Sequence, residues 1–79
     1  MQTEDTKPSK QQPAKVRFGL RLRKAREHMQ LSQELLAENA GLHRTYIGQV
    51  ERGERNISID SMEKLAAAVS MPLWEMLRP

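Results

Sequence analysis

LSQELLAENAGLHRTYIGQVERG, residues 31–53, is the stretch that decides the fold. A hydrophobic residue just before a helix N-cap packs on the residue five positions later and fixes how the chain enters the helix. Leu31 and Leu36 bracket Ser32 in this way, and Leu42 and Ile47 bracket His43. Beyond the stretch, Ile57 and Met62 bracket Ser58. Three such pairs predict three helix starts. Ser32 and Ser58 are good caps because a hydroxyl accepts from the N–H groups that a first turn leaves unpaired, whereas His43 is a poor one. Asp60, followed three residues later by Glu63, competes with Ser58. Gly41 and Gly53 stand where a helix would end in the left-handed conformation. The expected helices run over 33–40, 44–52 and 59–69, the last with Ile59, Met62, Leu65, Ala66 and Val69 turned inward.

Working outward, Phe18, Leu22, Ala25 and Met29 recur at i, i+4, i+7 and i+11, one face of a helix that begins near Val16. At the other end Pro72 opens a short helix through Leu77, since proline is tolerated in a first turn. No stretch alternates with period two, so no sheet is expected. Residues 16–79 therefore read as an all-α, compact five-helix bundle. Residues 1–15 hold Pro8 and Pro13 and no large apolar residue after Met1, a composition unable to offset the entropy of ordering. They read as a disordered N-terminal arm, either a plain solvated tail or one that touches phosphates through Lys7, Lys10 or Lys15.

With 79 residues and 9.1 kDa the chain has room for one small domain. It has no cysteine, so helix packing must stabilise the fold without disulfides or thiolate zinc sites, as suits a reducing cytoplasm. The longest uninterrupted apolar run, Leu65–Val69, is far too short for a membrane span, and a cytoplasmic protein without membrane contact is expected. The parts of an enzyme are missing: His28 and His43 are the only histidines, and no glycine-rich phosphate loop or paired-carboxylate motif is present. No catalytic residue, metal or cofactor is expected. The net charge is +3, but residues 16–31 alone carry +4. There Arg17, Arg21, Lys24 and His28 form a stripe that is either a solvated face or an edge turned toward phosphates.

The helix over 44–52 carries the chemistry. At 100° per residue, Arg44, Thr45, Gly48, Gln49 and Arg52 share one arc while Ile47 and Val50 point the opposite way. Arginine matches the O6 and N7 of guanine, glutamine pairs with adenine, and threonine offers a hydroxyl and a methyl to thymine. The same arc on an unrelated protein would be an ordinary exposed face. Gly48 costs about 1 kcal/mol of helix stability relative to alanine, which suggests close approach of a partner.

Gln33 to Arg52 resembles the helix-turn-helix of the phage-repressor (Xre) family of DNA-binding proteins. That pattern wants a small residue at its fifth position, glycine at its ninth and branched apolar residues at its fifteenth and eighteenth; Ala37, Gly41, Ile47 and Val50 fill them. The likeness extends from about Phe18 to Leu77. Within the family, GLHRTYI and ERGERN are most similar to the controller proteins of restriction-modification systems, which bind operators as dimers and regulate their own transcription. The resemblance implies a sequence-specific regulator, activator or repressor, of double-stranded DNA. Arg44, Thr45 and Gln49 would touch base edges, and Gln33, His43, Tyr46, Arg52, Arg55, Asn56 and Arg17 would lie near the sugar-phosphate backbone. Arg26 and Glu51 match a structural ion pair tying the first helix to the recognition helix. Glu34 and Glu38 resemble the acidic positions by which lambda repressor touches RNA polymerase, or are a solvated face.

One recognition helix reads only a few base pairs, so a homodimer on a palindromic operator is expected, with helices about 34 Å apart. Leu73, Trp74 and Leu77 are the candidate dimer interface, tryptophan being enriched at interface centres. Burial of Trp74 within its own subunit is the competing expectation. A different functional class, an antitoxin-like protein-interaction module with secondary DNA binding, would need a toxin-binding extension that the five predicted helices leave no room for.

Overall fold

The computed structural model describes residues 12–79 and builds them from five helices, α1 (Ala14–His28), α2 (Gln33–Ala40), α3 (Arg44–Glu51), α4 (Ile59–Ala68) and α5 (Leu73–Leu77), with no strand among the described residues. The predicted starts of α2, α3 and α4 coincide with the observed ones. The Ser32 Oγ accepts from the Leu35 N–H at 3.0 Å and the Ser58 Oγ from the Ser61 N–H at 3.1 Å, while the His43 side chain caps nothing. Asp60 sits in the first turn of α4 instead of capping it. Most of the expected arm lies outside the described residues; of its last residues, Ala14 and Lys15 are helical. The helix starts there because the Pro13 carbonyl accepts from both Val16 and Arg17, and proline presets the entry angle.

Each helix packs most closely on two others, in a closed ring: α1 on α3, α3 on α2, α2 on α4, α4 on α5, and α5 back on α1. Phe18, Leu22, Leu36, Ile47, Val50, Leu65 and Met76 fill the centre and are fully buried. Ile59 departs from the expected inner face of α4 and is 66% exposed, because at the first position of the helix it projects past the end of the core. Met29 likewise ends up exposed at the last turn of α1.

α1 and α3 cross in close contact at Gly19. A Cβ placed on Gly19 would lie 2.2 Å from the Val50 carbonyl oxygen and 3.0 Å from that of Glu51. Only a residue without a side chain permits this approach. Nothing in the sequence near position 19 announces it, since the partner carbonyls are some thirty residues away.

The first four helices share one way of stopping. After each, one N–H bonds three residues back and the next bonds five residues back: Gly41 and Leu42, Gly53 and Glu54, Gln30 and Leu31, Ser70 and Met71. The first residue of each pair has positive φ, near 70° at Gly41 and Gly53 and near 60° at Gln30 and Ser70. Gln30 and Ser70 adopt this conformation despite their Cβ, at a cost that glycine avoids. Gln30→Gly and Ser70→Gly are each expected to raise stability by about 0.5–1 kcal/mol, the relief of strain exceeding glycine's added freedom in the unfolded chain. Urea denaturation is the check; a loss of stability in both variants would contradict it.

Candidate nucleic-acid interface

α3 is held from behind and open in front. Ile47 and Val50 anchor its inner face, and Glu51 at its end is buried, its side chain only 3% exposed. Arg26 of α1 grips that carboxylate with two bonds, Nε to Oε2 at 2.6 Å and Nη2 to Oε1 at 3.0 Å, and donates a third from Nη1 to the Leu31 carbonyl. The Glu51 bond raises the Arg26 guanidinium above its usual range against the opposing effect of burial. Gln33, at the start of α2, donates from Nε2 to Glu51 Oε1 at 3.0 Å. One carboxylate therefore ties α1, α2 and α3 together.

On the opposite face Arg44 and Thr45 are exposed and Gln49 is half-buried. They lie on the first and second turns of the helix, one face apart from the core side chains, and Arg44 enters no salt bridge among the described residues. Gly48 does not belong to this open face. It is buried beneath two side chains: a Cβ there would meet Arg52 Nη1 at 3.2 Å and the Gln33 amide at 3.8–3.9 Å. The missing side chain makes room for the protein's own Gln33 and Arg52, which replaces the expected approach of an outside partner.

The flanking residues fall into three groups. His43 and Asn56 are exposed, and the Arg55 guanidinium stacks 5.0 Å from the centre of the half-buried Tyr46 ring, which holds that cation beside the start of α3. Arg52 is exposed and paired with Glu54 through Nε to Oε2 at 3.0 Å and Nη2 to Oε1 at 3.2 Å, and this carboxylate raises its pKa. Such a pair between solvated side chains holds weakly and exchanges readily for another anion.

Arg17 is a correction. Its Nε and Nη2 donate to the Leu77 carbonyl at 3.1 and 3.0 Å, and its Nη1 to the Gln12 carbonyl at 2.6 Å. Arg21 likewise donates to the carbonyls of Glu75, at 3.0 Å, and Arg78. These guanidinium groups satisfy the unpaired carbonyls at the end of α5, where a cation also complements the helix dipole. Arg17 is thus committed to α5 and does not join the Arg44 face. A stripe of arginines one turn apart reads the same in sequence whether it meets solvent, phosphate or another helix, so only the packing of α5 distinguishes them.

Trp74 is 66% exposed, so burial within its own subunit does not hold; Leu73 and Leu77 are partly buried against the core. Glu34 and Glu38 stand exposed on α2. No group of side chains among the described residues is placed to hold a metal ion, and no helix there is long and apolar enough to cross a membrane.

A helix-turn-helix family model matches residues 22–73. The control protein C.MunI from Mycoplasma sp is 43% identical over 63 residues, covering 78% of this chain and 85% of its own. Among solved structures, the restriction-modification controller protein C.AhdI from Aeromonas hydrophila superposes with a TM-score of 0.75 at 48% identity, over 78% of this chain and 94% of that one. SinR from Bacillus subtilis, the master regulator for biofilm formation, was solved in complex with DNA; the chain in that structure superposes with a TM-score of 0.73 at 31% identity, over 77% of this chain and 98% of that one.

Proposed function

We propose, from the premise that this chain belongs to the helix-turn-helix family, that it is a sequence-specific regulator of transcription that binds double-stranded DNA, of the restriction-modification controller type. The observation that carries this reading is the two-sidedness of α3: buried side chains and the Arg26–Glu51 pair fix one face, while Arg44, Thr45 and Gln49 stand ready on the other. A helix held this firmly loses little further freedom on entering a major groove, so its contacts go to discrimination. In this reading Arg44, Thr45 and Gln49 read base edges, and His43, Tyr46, Arg52, Arg55 and Asn56 meet the backbone. Gln33 supports the helix from its bond to Glu51 and offers its remaining amide groups to a phosphate.

Two copies on a palindromic operator supply the length of site that one helix lacks, with Leu73, Trp74 and Leu77 as the dimer contact. The exposed indole of Trp74 favours this. Residues 16–79 form the binding domain, the protein works in the cytoplasm without cofactor or catalysis, and exposed Glu34 and Glu38 are a contact for RNA polymerase. Activation or repression then follows from where the operator lies relative to a promoter.

Duplexes selected from a random pool test the reading. Binding to the selected site is expected to weaken steeply with salt, log K falling by about 0.9 for each phosphate neutralised. Arg44→Ala is expected to lose about 1–3 kcal/mol of discrimination at one guanine per half-site, whereas Arg55→Ala weakens selected and random duplexes alike. Equal losses on both duplexes for Arg44→Ala would remove it from the base-reading set, and a pool that yields no preferred duplex would sink the reading as a whole.

A further inference from the structure

An open cavity of about 640 Å³ lies between the second half of α1, the turn joining α4 to α5, and α5 itself; no residue of α2 or α3 lines it. Its floor is apolar, built on Met29, Val69 and Met71, and Arg21, Lys24 and Arg78 stand around it against a single carboxylate, Glu75. Arg21 is fixed in place by its bonds to the carbonyls of α5, and Lys24 enters no salt bridge among the described residues.

We propose that this cavity binds a small apolar carboxylic acid, its chain lying on the methionines and its carboxylate meeting Lys24 and Arg21. The volume falls within the roughly 300–1,000 Å³ of small-molecule sites. A protein partner needs about 800 Å² on each side, far more than this depression offers. A second copy centred on the cavity would bring two basic rims together, and the proposed dimer contact through Leu73, Trp74 and Leu77 uses none of the residues that line it. Residues 1–11 offer a single large apolar residue, Met1, too little to cover the floor. DNA has charge for the rim but no aliphatic part for the floor. Methionine suits the task because its flexible, polarisable side chain adapts to ligands of differing shape. The site shares no residue with the Arg44 face, so binding here and binding to DNA are measured separately and stand or fall separately.

The test titrates sodium octanoate into the full chain, reading the heat of binding by isothermal titration calorimetry together with the methyl resonances of Met29 and Met71, which line the cavity, by NMR. Saturable binding of one octanoate per chain is expected, with both methyl resonances shifting and with 1-octanol binding several-fold more weakly. Lys24→Glu is expected to weaken octanoate about fivefold or more, since reversal turns an attraction into a repulsion, and Lys24→Arg to preserve it. Lys24 is exposed, so thermal melting by circular dichroism stays unchanged in both variants. Absence of saturation, silent methionine methyls, or equal affinity in Lys24→Glu and the unaltered chain would each overturn the proposal.

Discussion

Gly19→Ala is expected to destabilise the fold by about 2–3 kcal/mol, although it puts a strong helix former into the middle of a helix. In a free helix the exchange would gain about 1 kcal/mol. Here the new methyl would fall 2.2 Å from the Val50 carbonyl oxygen and 3.0 Å from that of Glu51. Both obstacles are backbone, so no side chain can swing aside, and α1 must withdraw from α3. Withdrawal opens the packing of Phe18 and Leu22 on Ile47 and Val50 and stretches the Arg26 grip on Glu51. Small domains have only a few kcal/mol to lose, and each one lowers Tm by about 4–8 °C, so a fall of about 8–24 °C is expected. Gly41→Ala is the control. Its φ is +70° but nothing lies within 4 Å of the added Cβ, so it loses only the conformational term, about 1 kcal/mol. If the two variants melt together, the close crossing of α1 and α3 has no energetic weight.

The second large effect concerns the buried carboxylate. Glu51→Ala is expected to cost about 3 kcal/mol, because it strands the Arg26 guanidinium, 11% exposed, together with the Gln33 amide. The figure sits at the lower end of what breaking a buried pair costs, since Arg26 keeps its bond to Leu31 and retains some access to water. Arg26→Ala is expected to be similarly harmful. The double replacement Arg26→Met with Glu51→Leu is expected to recover most of the loss, since it leaves no uncompensated charge. DNA binding separates support from readout. The recovered double variant should regain stability, yet with the Gln33 tether gone its α3 is less firmly placed, and affinity for a selected duplex should recover less than stability does. Full recovery of both would make the pair a matter of stability alone.

How much of this was legible in the sequence depended on distance along the chain. The starts of α2 and α4 and the stops of α2 and α3 rest on contacts three to five residues apart, and Ser32 and Ser58 state the starts, Gly41 and Gly53 the stops, in their own chemistry. The stops at Gln30 and Ser70 use the same geometry as those at Gly41 and Gly53 but were silent, since neither residue advertises a left-handed conformation. Gly19 was silent for a different reason: its explanation lies in another helix. Gly48 was legible as anomalous and misread in cause, because a helical wheel shows which way a residue points and not that Gln33 comes to cover it. For the face of Arg44, Thr45 and Gln49 the wheel sufficed, since the two apolar residues opposite already fix its orientation. Arg17 needed the position of α5, which no local pattern supplies.

The ring of helices closes at one seam, where Arg17 and Arg21 near the beginning bond to carbonyls 54 to 60 residues further on. During synthesis, α1 through α4 can form as the polypeptide emerges, but the seam stays open until Leu77 has cleared the ribosome. Until then the flank of α1 meant for α5 faces water, and the nascent domain is exposed to proteolysis and to pairing with other unfinished copies. Loss of α5 would thus lower the yield of folded protein far more than five residues of helix suggest.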